Sequence, residues 1–127
     1  AKAEEPGFCF GGAGDAWLAA LEPIGTGASK LHLADAPCLI VVFAQRYGVT
    51  AAGLRSKTCC VPESVGIATG FQIAAIHPAG LVCLEHAPNP MKFLGLPCGR
   101  TDREKPVMIL PVGYPANDAT VPSLAKR

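Results

Sequence analysis

Cys83, His86 and Cys98, with Cys59 and Cys60 nearby in sequence, offer soft ligands of the kind that hold a metal ion. Their spacing argues against that use. No Cys-x-x-Cys occurs, and no two histidines stand at ligand spacing. On a continuing strand, Cys83 and His86 would also point to opposite faces. No metal site is expected. A serine hydrolase fares no better, because Ser64 lies in Glu-Ser-Val-Gly, which is not a Gly-x-Ser-x-Gly elbow. No glycine-rich loop matches the phosphate-binding or dinucleotide fingerprints. His77 closes a helical pattern, where a partial positive charge is welcome. His86 differs: it sits at a strand-to-turn junction beside Pro88 and Pro90, and loop residues at strand ends often build binding sites.

Several elements must position these residues. Asp15–Leu21 carries good helix formers, with Trp17, Leu18 and Leu21 spaced to share a face, Asp15 as N-cap and Pro23 as stop. Residues 25–29 read as flexible loop. The β-branched, unalternating run 38–43 predicts a strand buried on both faces, inside a sheet covered by helices. Residues 45–58 read as polar loop. Pro62 predicts the start of a helix over 62–76, since proline suits the first helical position and Glu63 suits the positive end of the dipole. Apolar side chains surround this helix, so it is expected to be buried. Gly66, Gly70 and Ala74 form one smooth ridge on it, suited either to tight core packing or to a subunit interface. Residues 81–84 predict a short strand, 85–90 a turn and 91–94 one helical turn. Residues 107–113 predict a second buried strand, which should end or meet a sheet edge at Pro111, a residue with no N–H to donate. Strands alternating with helices imply an α/β (α+β) layered domain.

Composition narrows the classes further. Hydrophobic residues make up 50% of the 127 and charged residues 17%, against about 25% in a typical soluble domain. The shortage suggests that a partner chain or further sequence covers part of the surface. Net charge is +1 and no basic stripe exists, so nucleic-acid binding has no footprint. No apolar run spans a membrane, and no secretory signal is visible. The start at Ala1-Lys2-Ala3, with no initiator Met, suggests a piece of something longer. The six cysteines are far sparser than in a disulfide scaffold. They read as reduced thiols of a cytoplasmic protein, Cys38 and Cys83 serving as small hydrophobes.

Three stretches together carry a resemblance. Residues 62–81 (PESVGIATGFQIAAIHPAGL) resemble the central helix of the FMN-dependent nitroreductase family. Residues 87–94 (APNPMKFL), with Cys98-Gly-Arg100 and Glu104-Lys-Pro106, are similar to its following turn and helix. Leu110-Pro-Val-Gly-Tyr-Pro115 and Ala119-Thr-Val-Pro122 resemble its closing strand and tail, and the run from Ala36 to Phe43 its preceding strand. The branch resembled is the one containing iodotyrosine deiodinases, and the part resembled is its C-terminal portion. The Arg/Ser-rich N-terminal segment that clamps the FMN phosphate in that family has no counterpart here.

The resemblance implies a nitroreductase-like layered sheet with helices, residues 1–35 forming a lid-like region and 36–127 the core of a single, partial domain. It implies a homodimer with FMN at the interface, taking electrons from NAD(P)H and passing them to a nitroaromatic, a quinone or a halogenated aromatic. The flavin-contacting turn aligns with Glu85, His86 and Ala87, where the deiodinases carry hydroxyl residues, so Glu85 is a departure. The basic residue that meets the flavin phosphate aligns with Lys126, next to Arg127. The lid's substrate-binding lysine aligns with Lys30 and its glutamate with Glu5, while its tyrosine falls at Cys9 or Phe10. The other reading open to such a chain is a non-catalytic remnant, dimerising or binding a small molecule after losing tight flavin binding. A third is that a separate chain supplies the N-terminal half.

Overall fold

The computed structural model describes residues 14–24, 29–88 and 90–120. Its centre is a three-stranded antiparallel sheet in the order β1-β5-β4, where β1 is Cys38–Gln45, β4 is Val82–Cys83 and β5 is Glu104–Gly113. β5 pairs with β1 along the whole of β1, from Cys38 opposite Val112 to Gln45 opposite Glu104, with one irregularity between Val42 and Phe43. The expected strand at 107–113 is thus three residues longer at its start, because Gln45 and Ala44 provide partners for Glu104 and Lys105.

Side-chain alternation divides the sheet into two faces. Met108, Leu110 and Val112 of β5 and Ile40 and Val42 of β1 share the face that meets the long helix α3 (Val61–Ile76). The helix residues Ile73 and Ile76 complete that core, and Leu110 at its centre is fully buried. Among the described residues two shorter helices precede the sheet: α1 (Asp15–Leu21) and α2 (His32–Asp35). Asp15 is the first residue of α1, and Gly14 occupies the capping position expected for Asp15. Between β1 and α3 lies a hairpin of β2 (Tyr47–Val49) and β3 (Arg55–Lys57). It replaces the loop expected over 45–58, and Thr50 closes its turn by exchanging bonds with Leu54, with Gly53 in the left-handed region.

Helix α3 starts at Val61, one residue ahead of the proline, behind Cys60 in a left-handed conformation. It ends in a 3₁₀ turn, His77–Ala79, where Gly80 adopts φ 74° and Leu81 donates back to the Ile76 carbonyl. The helix is not buried as its composition suggests. Only Thr69 and Ile76 are buried, while Ile67 is 62% and Phe71 75% exposed. The sheet can cover one side of a helix, and nothing else among the described residues meets the remaining apolar girth. A Cβ placed on Gly66 or Gly70 would meet no atom within 4 Å, so tight packing inside this chain is not what the ridge serves. β1 is likewise an edge strand here, not an interior one, and Leu39 on it is exposed.

Proline 111 also departs from expectation. It sits in the central strand, opposite Leu39, and β5 continues past it to Gly113. The missing N–H does its damage on the other side. Ile109 and His86 exchange both backbone bonds, at 2.9 and 2.8 Å. Two residues further along, Pro111 would be next to exchange bonds with Leu84, and it has no proton to give. The β4 ladder is accordingly interrupted between Cys83 and His86.

Candidate functional site

The turn at 85–87 hangs from this interrupted edge. His86 is pinned by its two bonds to Ile109. Its neighbours Glu85 and Ala87 are exposed, and their N–H groups donate no hydrogen bond among the described residues. Backbone alternation turns those two donors away from β5. The outcome is a short, firmly anchored edge with two outward N–H groups, one on each side of a histidine.

The structure brings a second histidine to it from 54 positions upstream. The rings of His32 and His86 meet edge to face, with centroids 5.9 Å apart and planes at 86°. The Nε2 atom of His32 is buried without a hydrogen-bond partner among the described residues. His32 belongs to α2, whose first turn is closed by Leu33 donating to the Lys30 carbonyl at 3.1 Å. Lys30 itself is half-buried. The short helix therefore delivers His32 to the turn, and Lys30 stands two residues ahead of it. Sequence reasoning singled out Lys30 and His86 but missed His32, whose partner is distant in the chain and whose surroundings, Leu31 and Leu33, gave no signal.

A groove of about 430 Å³ runs beside this edge, between α2 and the ends of β4 and β5. His32, Asp35, Cys83, Leu84 and Tyr114 line it, and among the described residues no lysine or arginine does. Flavin has a ring edge rich in acceptors and a phosphate that needs cations. The two outward N–H groups suit the ring edge. For the phosphate the groove offers no positive side chain among the described residues. Lys126, expected to meet it, lies outside the described residues, as do Glu5, Cys9 and Phe10 of the expected lid. Among the described residues no group of three or more metal-ligating side chains occurs, and the five described cysteines are free thiols. No described helix is long and apolar enough to cross a membrane.

No family model matches the chain. Individual relatives do. The iodotyrosine deiodinase of Haliscomenobacter hydrossis is 50% identical over 111 residues, which are 87% of this chain and 50% of that protein. The enzyme of the same name from Hydra vulgaris is 41% identical over 115 residues, 90% of this chain and 42% of its own. Iodotyrosine deiodinase 1 of Homo sapiens is 39% identical over 115 residues, again 90% of this chain and 40% of its own. Among solved structures, oxidized iodotyrosine deiodinase bound to FMN and 3-iodo-L-tyrosine superposes with a TM-score of 0.77. That match has 22% identity and covers 99% of this chain and 62% of the other. The chain thus has the nitroreductase-like fold expected from its sequence, and it spans about half the length, or less, of the curated relatives it matches.

Proposed function

Starting from a chain that resembles the C-terminal portion of iodotyrosine deiodinases, in the nitroreductase family, we propose that it forms part of an FMN-dependent oxidoreductase acting on a halogenated aromatic of the iodotyrosine type. The observation that carries this reading is the 50% identity with the bacterial deiodinase over 87% of the chain, a span wide enough to include the turn, both histidines and the long helix. Nitroaromatics and quinones are further acceptors that a flavin of this kind reduces, and NAD(P)H is the proposed source of electrons.

Bound flavin would supply the two-electron chemistry that no side chain here can. The outward N–H groups of Glu85 and Ala87 would hold its ring edge, with His86 anchoring the turn to the sheet. Lys126 would meet the phosphate. On the substrate side, an amino acid is a zwitterion, and Lys30 and Glu5 offer the two complementary charges. Replacement of iodine by hydrogen consumes two electrons and one proton and releases iodide. Residues 1–35 would close over the substrate as a lid, residues 36–127 would form the core, and a second copy would complete the flavin site as a homodimer. A cytoplasmic setting accords with the free thiols.

The test is a titration of the purified chain with FMN, followed by flavin fluorescence, and an anaerobic assay of iodide release from 3-iodotyrosine with dithionite as reductant. Saturable uptake and stoichiometric iodide are expected. Absence of both, even when the N-terminal half of a relative is added as a separate chain, would reject the oxidoreductase reading. One observation favours the other reading, a remnant that dimerises or binds a small molecule without catalysis: a carboxylate occupies the turn, and among the described residues no cation lines the groove beside it. That reading predicts association of the chain with no flavin uptake under any of these conditions.

A further inference from the structure

A second cleft, of about 580 Å³, opens at the other end of β1, where the β2–β3 hairpin approaches the 100–106 segment and the turn at Met91. It gathers five of the chain's eleven lysines and arginines, against two of its ten carboxylates. Both carboxylates are committed to the walls. Glu104 pairs with Arg100 at 3.4 Å and accepts from the Thr101 N–H, while Asp102 accepts from the Tyr47 hydroxyl at 3.2 Å. The ring of Tyr47 in turn carries the Arg55 guanidinium, 4.4 Å from its centroid.

Three cations remain. Arg46, Lys92 and Lys105 have no carboxylate partner among the described residues. Two of them are held together by the sheet itself. Lys105 lies opposite Ala44 in the β1–β5 ladder, and Arg46 extends that ladder by donating its N–H to the Arg103 carbonyl at 2.8 Å. Arg46 and Lys105 are therefore diagonal neighbours on one face of the sheet, about 7–8 Å apart at the backbone. Like charges fixed so closely repel each other, and an anion between them converts that repulsion into attraction. The third cation, Lys92, and the apolar Pro90, Met91 and Pro106 close the cleft around this point. Its volume falls in the range of small-molecule sites, roughly 300–1,000 Å³.

We propose that this cleft binds a phosphate-bearing small molecule, the phosphate seated between Arg46 and Lys105 and within reach of Lys92. Guanidinium suits the site because its fork matches two phosphate oxygens at once. The site is separate from the turn at 85–87, and the proposal does not depend on flavin binding there. Phosphate could arrive free or as part of a nucleotide, whose ring would lie against Met91 and the two prolines.

Calorimetric titration of the 127-residue chain with adenosine 5′-monophosphate, inorganic phosphate and adenosine tests this. Saturable binding of the monophosphate, none of adenosine, and a loss of affinity on adding salt are expected. Equal affinity for inorganic phosphate also supports the site and assigns it to the free anion. The pair Arg46→Gln and Lys105→Gln should weaken binding about tenfold or more, while Lys57→Gln on the exposed strand β3 leaves it unchanged; circular dichroism checks that each variant folds. No saturable binding of either phosphate compound, binding of adenosine as strong as that of its monophosphate, or an equal loss in Lys57→Gln overturns the proposal.

Discussion

Glu85 sets the electrical character of the edge turn. Reduced flavin carries a negative charge on its ring, and a carboxylate close by disfavours it. Replacing Glu85 with Gln removes that charge without changing the backbone that would make the contact. The midpoint potential of bound FMN should then rise, by roughly 20 mV for a charge separation near 4 Å in water. Redox titration of the flavin-loaded chain and its variant checks the sign, and an unchanged or lowered potential would remove Glu85 from the ring's surroundings. Glu85 stands out in the sequence only through the family resemblance, whose flavin-contacting turn aligns with residues 85–87. His32 was not legible. Its importance comes from an edge-on contact with His86 made across the fold, and no local pattern announces a partner 54 positions away.

The helix α3 could be read from Pro62, Glu63 and the terminating His77-Pro78, since local chemistry writes a helix's ends. Its exposure could not be read, because burial depends on what lies outside the segment. The β2–β3 hairpin gives little signal for another reason: its strands are three residues each, β3 is wholly polar, and pairing between Tyr47 and Lys57 holds them together in place of an apolar run. Pro111 was recognised as a residue that breaks a ladder, yet only the β4 side suffers. Pro111→Val should restore the missing donor to Leu84, lengthen the β4 ladder and slow amide exchange at Leu84. Hydrogen-exchange mass spectrometry over residues 81–88 reads this directly; exchange as fast as in the parent chain would mean that something other than the proline keeps the edge apart.

At the scale of the whole molecule, the exposed apolar surface of α3 decides how the chain behaves. A groove of about 680 Å³ lies between this helix and the sheet, lined by Val65, Gly66, Gly70 and Ile73 among others. Gly70→Ala has room for its methyl group in the isolated chain. It should stabilise the helix by about 1 kcal/mol, seen as a raised Tm of the monomer. Gly70→Leu should do the opposite to any assembly built on this ridge, shifting a dimer to monomer in light scattering. If mass stays that of the parent, the ridge is not the contact. Sequence composition points the same way, since charged residues are fewer than in a typical soluble domain, which suggests cover by a partner chain or further sequence.

The bare helix has a consequence inside a cell as well. A protein that displays Ile67 and Phe71 to water is a substrate for chaperones and proteases until something covers them. Its abundance should therefore follow the supply of whatever covers that face of the helix: made alone it should be cleared or precipitate, and made beside its cover it should accumulate. The amount of this chain in a cell would then be set by stoichiometry with its partner surface more than by its own rate of synthesis.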